Sequence, residues 1–161
     1  MTIALCSLVI CLAHETKIHY KFLENNYVAE LSRSNMWFVI DGVIVTPKHN
    51  CLKGITAKNV MKSLENQSEL KHCYRDIHAS EIQNATEAFI TSRFRLFEKL
   101  ILNRFYSSTR NVWSVKEIQH EDGTIQHFPL HGGEITKKLQ IIFASYVKNI
   151  VENMKNNNSN K

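Results

Sequence analysis

The spacing of apolar residues divides the chain into a series of short elements. Residues 3–24 carry apolar positions at helical spacing, which predicts a helix over this segment. The segment NNYVAE, at 25–30, interrupts that pattern and opens a strand. Two apolar runs then flank Asp41 and Gly42, a pair that suits a two-residue hairpin turn with positive φ angles. The sequence therefore predicts an early helix followed by a β-hairpin.

The segment CLKGIT, at 51–56, stands between this hairpin and a second helical pattern. Gly54 permits unusual backbone angles, and Thr56 is predicted as the N-cap of the helix. The apolar face of that helix consists of Val60, Met61 and Leu64. Backbone N–H groups at such a junction bind an anion or form an ordinary cap, and the local pattern leaves both interpretations open.

The next segment continues with short elements. Strands are predicted at 72–77 and 87–91, with a short helix between them that Ser80 caps. Strand-like alternation returns at 107–118. The sequence therefore predicts a sheet interrupted by short helices.

The last forty residues combine a turn, a long helix and a tail. Asp122 and Gly123 mark the turn, and 132–154 carry an apolar stripe at helical spacing. The polar residues 155–161 are predicted to form a disordered tail.

Residues 93–106 form a basic amphipathic pattern. Its apolar stripe is Phe94, Phe97, Ile101 and Phe105, and its basic residues are Arg93, Arg95, Lys99 and Arg104. Such a helix lies on a membrane surface or packs on its own protein, and we favour packing.

Composition narrows the class of protein. A chain of 161 residues predicts one folded domain, and a net charge of +5 without a basic block gives no reason to expect nucleic-acid binding. The four cysteines form no C-x-x-C pair, which favours a cytoplasmic chain with reduced thiols. The histidines show no spacing typical of a metal site, so no metal is expected. No basic residue precedes Lys17, so the N-terminal apolar run is interpreted as buried rather than as a signal peptide.

These segments, in this order, resemble the second half of the fold-type IV (class IV) pyridoxal-phosphate-dependent aminotransferases, with the D-alanine aminotransferase branch most similar. The resemblance covers most of 12–150. It is carried by VAELSRSNMWFVIDGVIVTP, CLKGIT, TEAFITS with SSTRNVWSVKEI, and GGEITKKLQIIF. It implies an α+β fold, the C-terminal large domain of the D-amino acid aminotransferase-like fold, in which a barrel-like β-sheet packs against helices. The implied domain spans 1–154.

The resemblance also implies roles for particular residues. Glu30 matches the carboxylate that keeps the ring nitrogen of pyridoxal 5'-phosphate protonated. Leu52 matches an apolar residue on the cofactor ring, and Ile55 and Thr56 match the turn that binds the cofactor phosphate. A second phosphate-contacting pair corresponds to Ser108 and Thr109.

The sequence departs from the family in several places. The family's Schiff-base lysine lies upstream of its glutamate, and neither Lys17 nor Lys21 has its context, so no catalytic residue is assigned. Ala57 stands where the family usually has Arg, and Leu31 where it has a small residue. Residues 93–107 interrupt a segment that is continuous in the family, and they are interpreted as an insertion.

Three functions follow as expectations. The first is that of a portion of an aminotransferase. The intact enzyme would move an amino group between an amino acid such as D-alanine and a 2-oxo acid, and the portion is expected to be inactive alone because it lacks the Schiff-base lysine. Branched-chain aminotransferases and aminodeoxychorismate lyases are alternatives within the family. The second is a non-catalytic binding or assembly protein, with a homodimer or a separate N-terminal half as partner. The third, membrane association through 93–106, ranks last.

Overall fold

The structure is a computed structural model that describes residues 7–12, 17–21, 23–31, 34–92, 112–120 and 122–159. The predicted basic helix at 93–106, the apparent insertion at 93–107, and both Ser108 and Thr109 lie outside the described residues. These expectations therefore remain predictions.

The N-terminal segment is a pair of strands, so the helix predicted over 3–24 is wrong. Strand β1 (Ser7–Leu12) pairs antiparallel with β2 (Lys17–Lys21), and Val9 lies opposite His19. Both segments contain β-branched residues, which favour strands. A short apolar run does not fix its own period, and here pairing with a distant strand decides the outcome.

Two tight hairpins follow. Strands β3 (Leu23–Glu24) and β4 (Tyr27–Val28) are joined by Asn25 and Asn26, whose φ angles are 51° and 64°. Strands β5 (Ser34–Ile40) and β6 (Val43–Thr46) are joined by Asp41 and Gly42, with φ angles of 51° and 73°. Positive φ at both turn residues matches the twist of the flanking strands, and the predicted Asp-Gly hairpin is confirmed.

The other described strands complete one sheet. They are β7 (His72–Tyr74), β8 (Ala85–Ser92), β9 (Val112–Gln119) and β10 (Ile125–His127). The strand order is β2-β1-β9-β8-β5-β6-β7, and β10 also pairs with β9. The predicted Asp122-Gly123 turn lies between β9 and β10, with Gly123 at a φ of 84°.

One pair in this sheet, β6 with β7, is parallel. A parallel pair needs a crossover connection, which helix α1 (Ile55–Leu64) supplies between the two strands. This crossover places the start of α1, and with it the predicted phosphate turn, beside the central strand β5.

Helices α1 and α2 (Glu134–Ser159) pack on the same face of the sheet. Their contact layer contains Trp37, Phe89, Val60, Leu139 and Phe143. The opposite face is covered by a short 3₁₀ helix (Ala79–Asn84) and by Phe128, which pack on Met36, Phe38 and Ile90. The α+β class is confirmed, with the long helices on one side of the sheet.

Three helix ends differ from the sequence predictions. Gly54, not Thr56, is the N-cap of α1, because a tertiary hydrogen bond to its N–H fixes where the helix begins. His78, not Ser80, caps the 3₁₀ helix, where its ring accepts from the Ser80 N–H. Helix α2 continues to Ser159, into the segment predicted as a disordered tail, because no Gly or Pro stops it.

Candidate functional site

Four predicted site residues lie together where β4, β5 and α1 meet. Glu30 follows β4, is half-buried, and its Oε2 accepts a hydrogen bond of 2.9 Å from the backbone N–H of Leu52. Leu52 belongs to the loop 51–54 that leads into α1, and Ile55 and Thr56 are the first two residues of that helix. The structure therefore brings Glu30 to the predicted phosphate turn. Ser108 and Thr109 lie outside the described residues.

A residue that the sequence reasoning missed holds this arrangement together. Asn35, at the start of β5, is 8% exposed. Its Nδ2 donates to the Leu52 carbonyl at 2.6 Å and to Glu30 Oε2 at 3.4 Å. Its Oδ1 accepts from the Gly54 N–H at 3.3 Å. The sequence does contain one signal, a polar side chain near the start of an otherwise apolar strand. A buried amide must be hydrogen-bonded, so such a residue indicates a partner nearby.

Gly54 is needed for close packing rather than for its backbone angle. Its φ is −59°, which any residue adopts. A Cβ at this position would lie 2.7 Å from Asn35 Oδ1, closer than real Cβ contacts. The loop can therefore approach Asn35 only because residue 54 lacks a side chain.

The N-terminus of α1 is open to an anion. No side chain caps it, and its first turn contains no acidic residue. The first N–H groups of any helix lack intrahelical acceptors, and the helix dipole favours a negative charge there. Thr56, half-buried in this turn, adds a hydroxyl group. These groups fit the phosphate of pyridoxal 5'-phosphate.

Two large apolar side chains flank Gly54 and face solvent. Leu52 is 74% exposed and Ile55 is 71% exposed. Leu52 matches the residue predicted to pack on the cofactor ring, and its side chain is free to do so. A groove of about 300 Å³ along the outer side of α1 begins at Ile55 and includes Lys58, Lys62 and Tyr74, but neither Glu30 nor Leu52.

The thiol beside the site is kept neutral. Burial raises the pKa of Cys51, and the negative charge of Glu30 raises it further. Its Sγ donates to the Pro47 carbonyl at 3.1 Å. The raised pKa and this hydrogen bond both favour the thiol over the thiolate.

Two side-chain contacts support the loop from β7. The Lys53 ammonium lies 4.7 Å from the centre of the Tyr74 ring, a cation–π contact. His49 Nδ1 lies 3.0 Å from Asp76 Oδ2, and hydrogen bonding to His49 lowers the pKa of Asp76.

The N-terminus of α2 binds a carboxylate from strand β8. Glu87, a 7% exposed residue of β8, accepts from the N–H groups of Ile135 at 3.0 Å and Thr136 at 2.7 Å. A Cβ on Gly133 would overlap the Glu87 carboxylate. The sequence reasoning missed Glu87 too, although a buried carboxylate in an apolar strand requires such partners.

Two absences hold for the part of the chain that the structure describes. No group of three or more His, Cys, Asp or Glu side chains there is arranged to hold a metal ion. None of the described helices has the length and hydropathy needed to span a bilayer.

The fold has counterparts among solved structures. A protein from Thermotoga maritima, assigned as a branched-chain amino acid aminotransferase, superposes with a TM-score of 0.54 at 25% identity, over 78% of this chain and 39% of that one. The branched-chain aminotransferase of Escherichia coli gives a TM-score of 0.51 at 23% identity, over 72% and 33%. Another, from Thermobaculum terrenum, gives 0.51 at 20%, over 76% and 34%. The chain thus spans about two fifths or less of their lengths.

A further branched-chain aminotransferase of this group was solved with pyridoxamine 5'-phosphate. It gives a TM-score of 0.51 at 22% identity, over 75% of this chain and 34% of that one. That relative therefore carries the aminated form of the cofactor that the sequence resemblance implies.

The sequence itself matches a family. Residues 19–96 match the model of the class IV aminotransferases, so this segment is similar to part of a fold-type IV, pyridoxal-phosphate-dependent aminotransferase. No curated protein matches the chain. The resemblance seen in the sequence is confirmed at the level of the class. The similar solved structures are named as branched-chain aminotransferases, so they do not confirm D-alanine as the substrate.

Proposed function

We propose that this chain is the cofactor-anchoring portion of a class IV transaminase and that the 161-residue chain transfers no amino group by itself. The open N-terminus of α1, held beside Glu30 by Asn35, carries this proposal. The cofactor, when bound, supplies an electron sink for amino-group transfer between an amino acid and a 2-oxo acid.

Each residue of the site has a defined task in this proposal. Ile55 and Thr56 bind the phosphate through backbone N–H groups and the Thr56 hydroxyl, and Glu30 holds a proton on the ring nitrogen by charge. Leu52 packs on the ring. Ser108 and Thr109 remain proposed as a second phosphate contact.

The proposed inactivity of these 161 residues rests on the absence, among them, of a lysine that matches the family's Schiff-base lysine. Lys53, the lysine nearest the turn in sequence, is engaged with Tyr74. The D-alanine resemblance and the branched-chain neighbours offer two classes of amino donor for the intact enzyme, and the neighbours give branched-chain amino acids the firmer support. The cytoplasm is the proposed location, on the cysteine pattern alone.

A binding titration tests the anchoring site. Amide chemical shifts of Ile55 and Thr56 should move on addition of pyridoxal 5'-phosphate and, more weakly, of inorganic phosphate. Thr56→Val should reduce the affinity about tenfold or more, because one hydrogen bond to a charged group contributes about 1.5–3 kcal/mol. Thr46→Val, which loses a hydrogen bond to the Met36 carbonyl, is the control. Wild-type protein without these shifts would refute the proposal.

A second assay tests inactivity. Borohydride treatment with the cofactor should leave no adduct on any lysine by mass spectrometry. No amino group should pass from D-alanine or L-leucine to 2-oxoglutarate. A lysine adduct together with turnover would overturn this part of the proposal.

The exposure of Leu52 and Ile55 favours a second candidate, a half-protein that docks on a complementary partner or on a second copy. Size-exclusion chromatography with light scattering checks this candidate. Assembly that Leu52→Gln with Ile55→Gln abolishes would support it, whereas a wild-type monomer with a cooperative melt would argue against it.

A further inference from the structure

We propose that Asn35 is a positioning residue that holds the Glu30 carboxylate and the anion-binding turn in one arrangement. Gly54 leaves the space that the Asn35 side chain needs for these contacts. This inference rests on the proposed function. It concerns how the site is built before any ligand binds, so part of it can be measured without the cofactor.

The geometry shows why one amide can do this. Asn35 uses both ends of its side chain, donating to the Leu52 carbonyl and to Glu30, and accepting from the Gly54 N–H. The Leu52 N–H in turn donates to the same Glu30 oxygen. These bonds close a ring through Glu30, Asn35 and Leu52, so displacement of any member strains the other two.

The position of Asn35 makes the arrangement rigid. It pairs with Thr91 across the central sheet, on a strand whose next residues are fully buried. A loop attached to such a strand has little freedom, whereas an unattached loop loses ordering entropy when a ligand binds. Asn35 therefore pre-organises the turn that precedes Ile55 and Thr56.

Gly54 is the second residue on which this arrangement depends. Because its φ is compatible with alanine, Gly54→Ala adds no backbone strain, and its effect comes from the contact of the new methyl group with Asn35 Oδ1. A methyl group there pushes the amide away while every residue of the ring is kept. The two variants Asn35→Ala and Gly54→Ala thus break the same link from opposite sides.

The control is a matched amide elsewhere. Gln126 of β10 donates to the carbonyls of Ile82 and Ala85, so Gln126→Leu also frees two backbone groups, but far along the sheet order from the site. A general loss of stability should affect this variant and Asn35→Ala alike. All measurements use the full chain at a temperature where each variant is folded.

Two readouts test the proposal. The Leu52 N–H donates to Glu30, whereas Asn35 binds the carbonyl of Leu52. In both site variants this N–H should exchange with deuterium about tenfold faster. The affinity for pyridoxal 5'-phosphate should fall about tenfold. Gln126→Leu should change neither. If Asn35→Ala does not fold, Gly54→Ala decides both readouts.

The possible failures differ. Wild-type protein that binds the cofactor, with site variants that bind equally well, overturns the positioning role and leaves the proposed function standing. Wild-type protein that binds neither the cofactor nor phosphate overturns the proposed function. In that case unchanged Leu52 exchange overturns the positioning role as well, and faster exchange supports it for the loop alone.

Discussion

The two long helices of this chain begin in opposite electrostatic situations on the same face of one sheet. At α2 the N-terminus is closed by Glu87, a buried carboxylate from the neighbouring strand. At α1 the nearby carboxylate, Glu30, instead binds the loop before the helix, and the first turn has no cap. The dipole of α2 is thus neutralised by a side chain of the protein, whereas the dipole of α1 is left open at the place where the proposed ligand is an anion.

The first way to break this contrast is to remove the internal anion. Glu87→Gln keeps the shape but places an amide against two N–H groups. We expect the free energy of unfolding to fall by about 2 kcal/mol or more, the cost of losing charge-assisted hydrogen bonds at a buried site. Urea denaturation measures it.

The control for this change is Glu134→Gln. Glu134 lies in the first turn of α2, but it is exposed and pairs with Lys138 at 2.8 Å in solvent. Its replacement should leave the denaturation midpoint nearly unchanged. Equal effects of the two variants would contradict the special role of Glu87.

The second way is to make α1 resemble α2. Ile55→Glu places a carboxylate in the first turn of α1, at an exposed position. We expect stability to rise by about 0.5 kcal/mol and phosphate affinity to fall about tenfold, since the dipole is already neutralised. Calorimetric titration with pyridoxal 5'-phosphate checks the affinity.

Ile55→Gln is the neutral control for that variant. It removes the same apolar surface without adding charge, so it should bind the phosphate as the wild type does. If both variants lose affinity equally, the apolar side chain rather than the open dipole controls binding.

The smallest expected effect concerns Asp76, on the loop side of the site. Its pKa is lowered in the folded state, chiefly by the hydrogen bond to His49. A lowered pKa stabilises the fold above the unfolded value of about 3.9, and the contribution disappears as the pH falls through the folded value. Melting curves from about pH 7 to about pH 3 should show a slightly steeper loss for the wild type than for Asp76→Asn. Parallel curves would contradict the shift.

Local signals explain the predictions that succeeded. Asp41-Gly42 dictates a turn by its own backbone preferences, and the closing helix has a long apolar stripe that no strand could use. The order of motifs around Glu30 and CLKGIT was enough to identify the class. Such features need no knowledge of the rest of the chain.

Tertiary contacts explain the failures. The apolar pattern at 3–24 predicts a helix because a local pattern contains no information about the partner strand β9. Thr56 and Ser80 were predicted as caps because the hydrogen bonds of Asn35 and the ring of His78 lie outside a local pattern. The sequence does not reveal the roles of Asn35 and Glu87, because a polar residue in a strand indicates a buried partner without identifying it.

The pairing of β1 with β9 bears on how the chain is made. Val9 leaves the ribosome before its partner Gln119, so β1 has no neighbour on that side while the strands between these two residues are synthesised. Strands β5, β6 and β7 pair only within the segment from β5 to β8, and β8 alone pairs outside it, with β9, so this segment can pair first. The phosphate turn and Asn35 both belong to this self-sufficient segment, so the anchoring site can form on the growing chain before the sheet is complete.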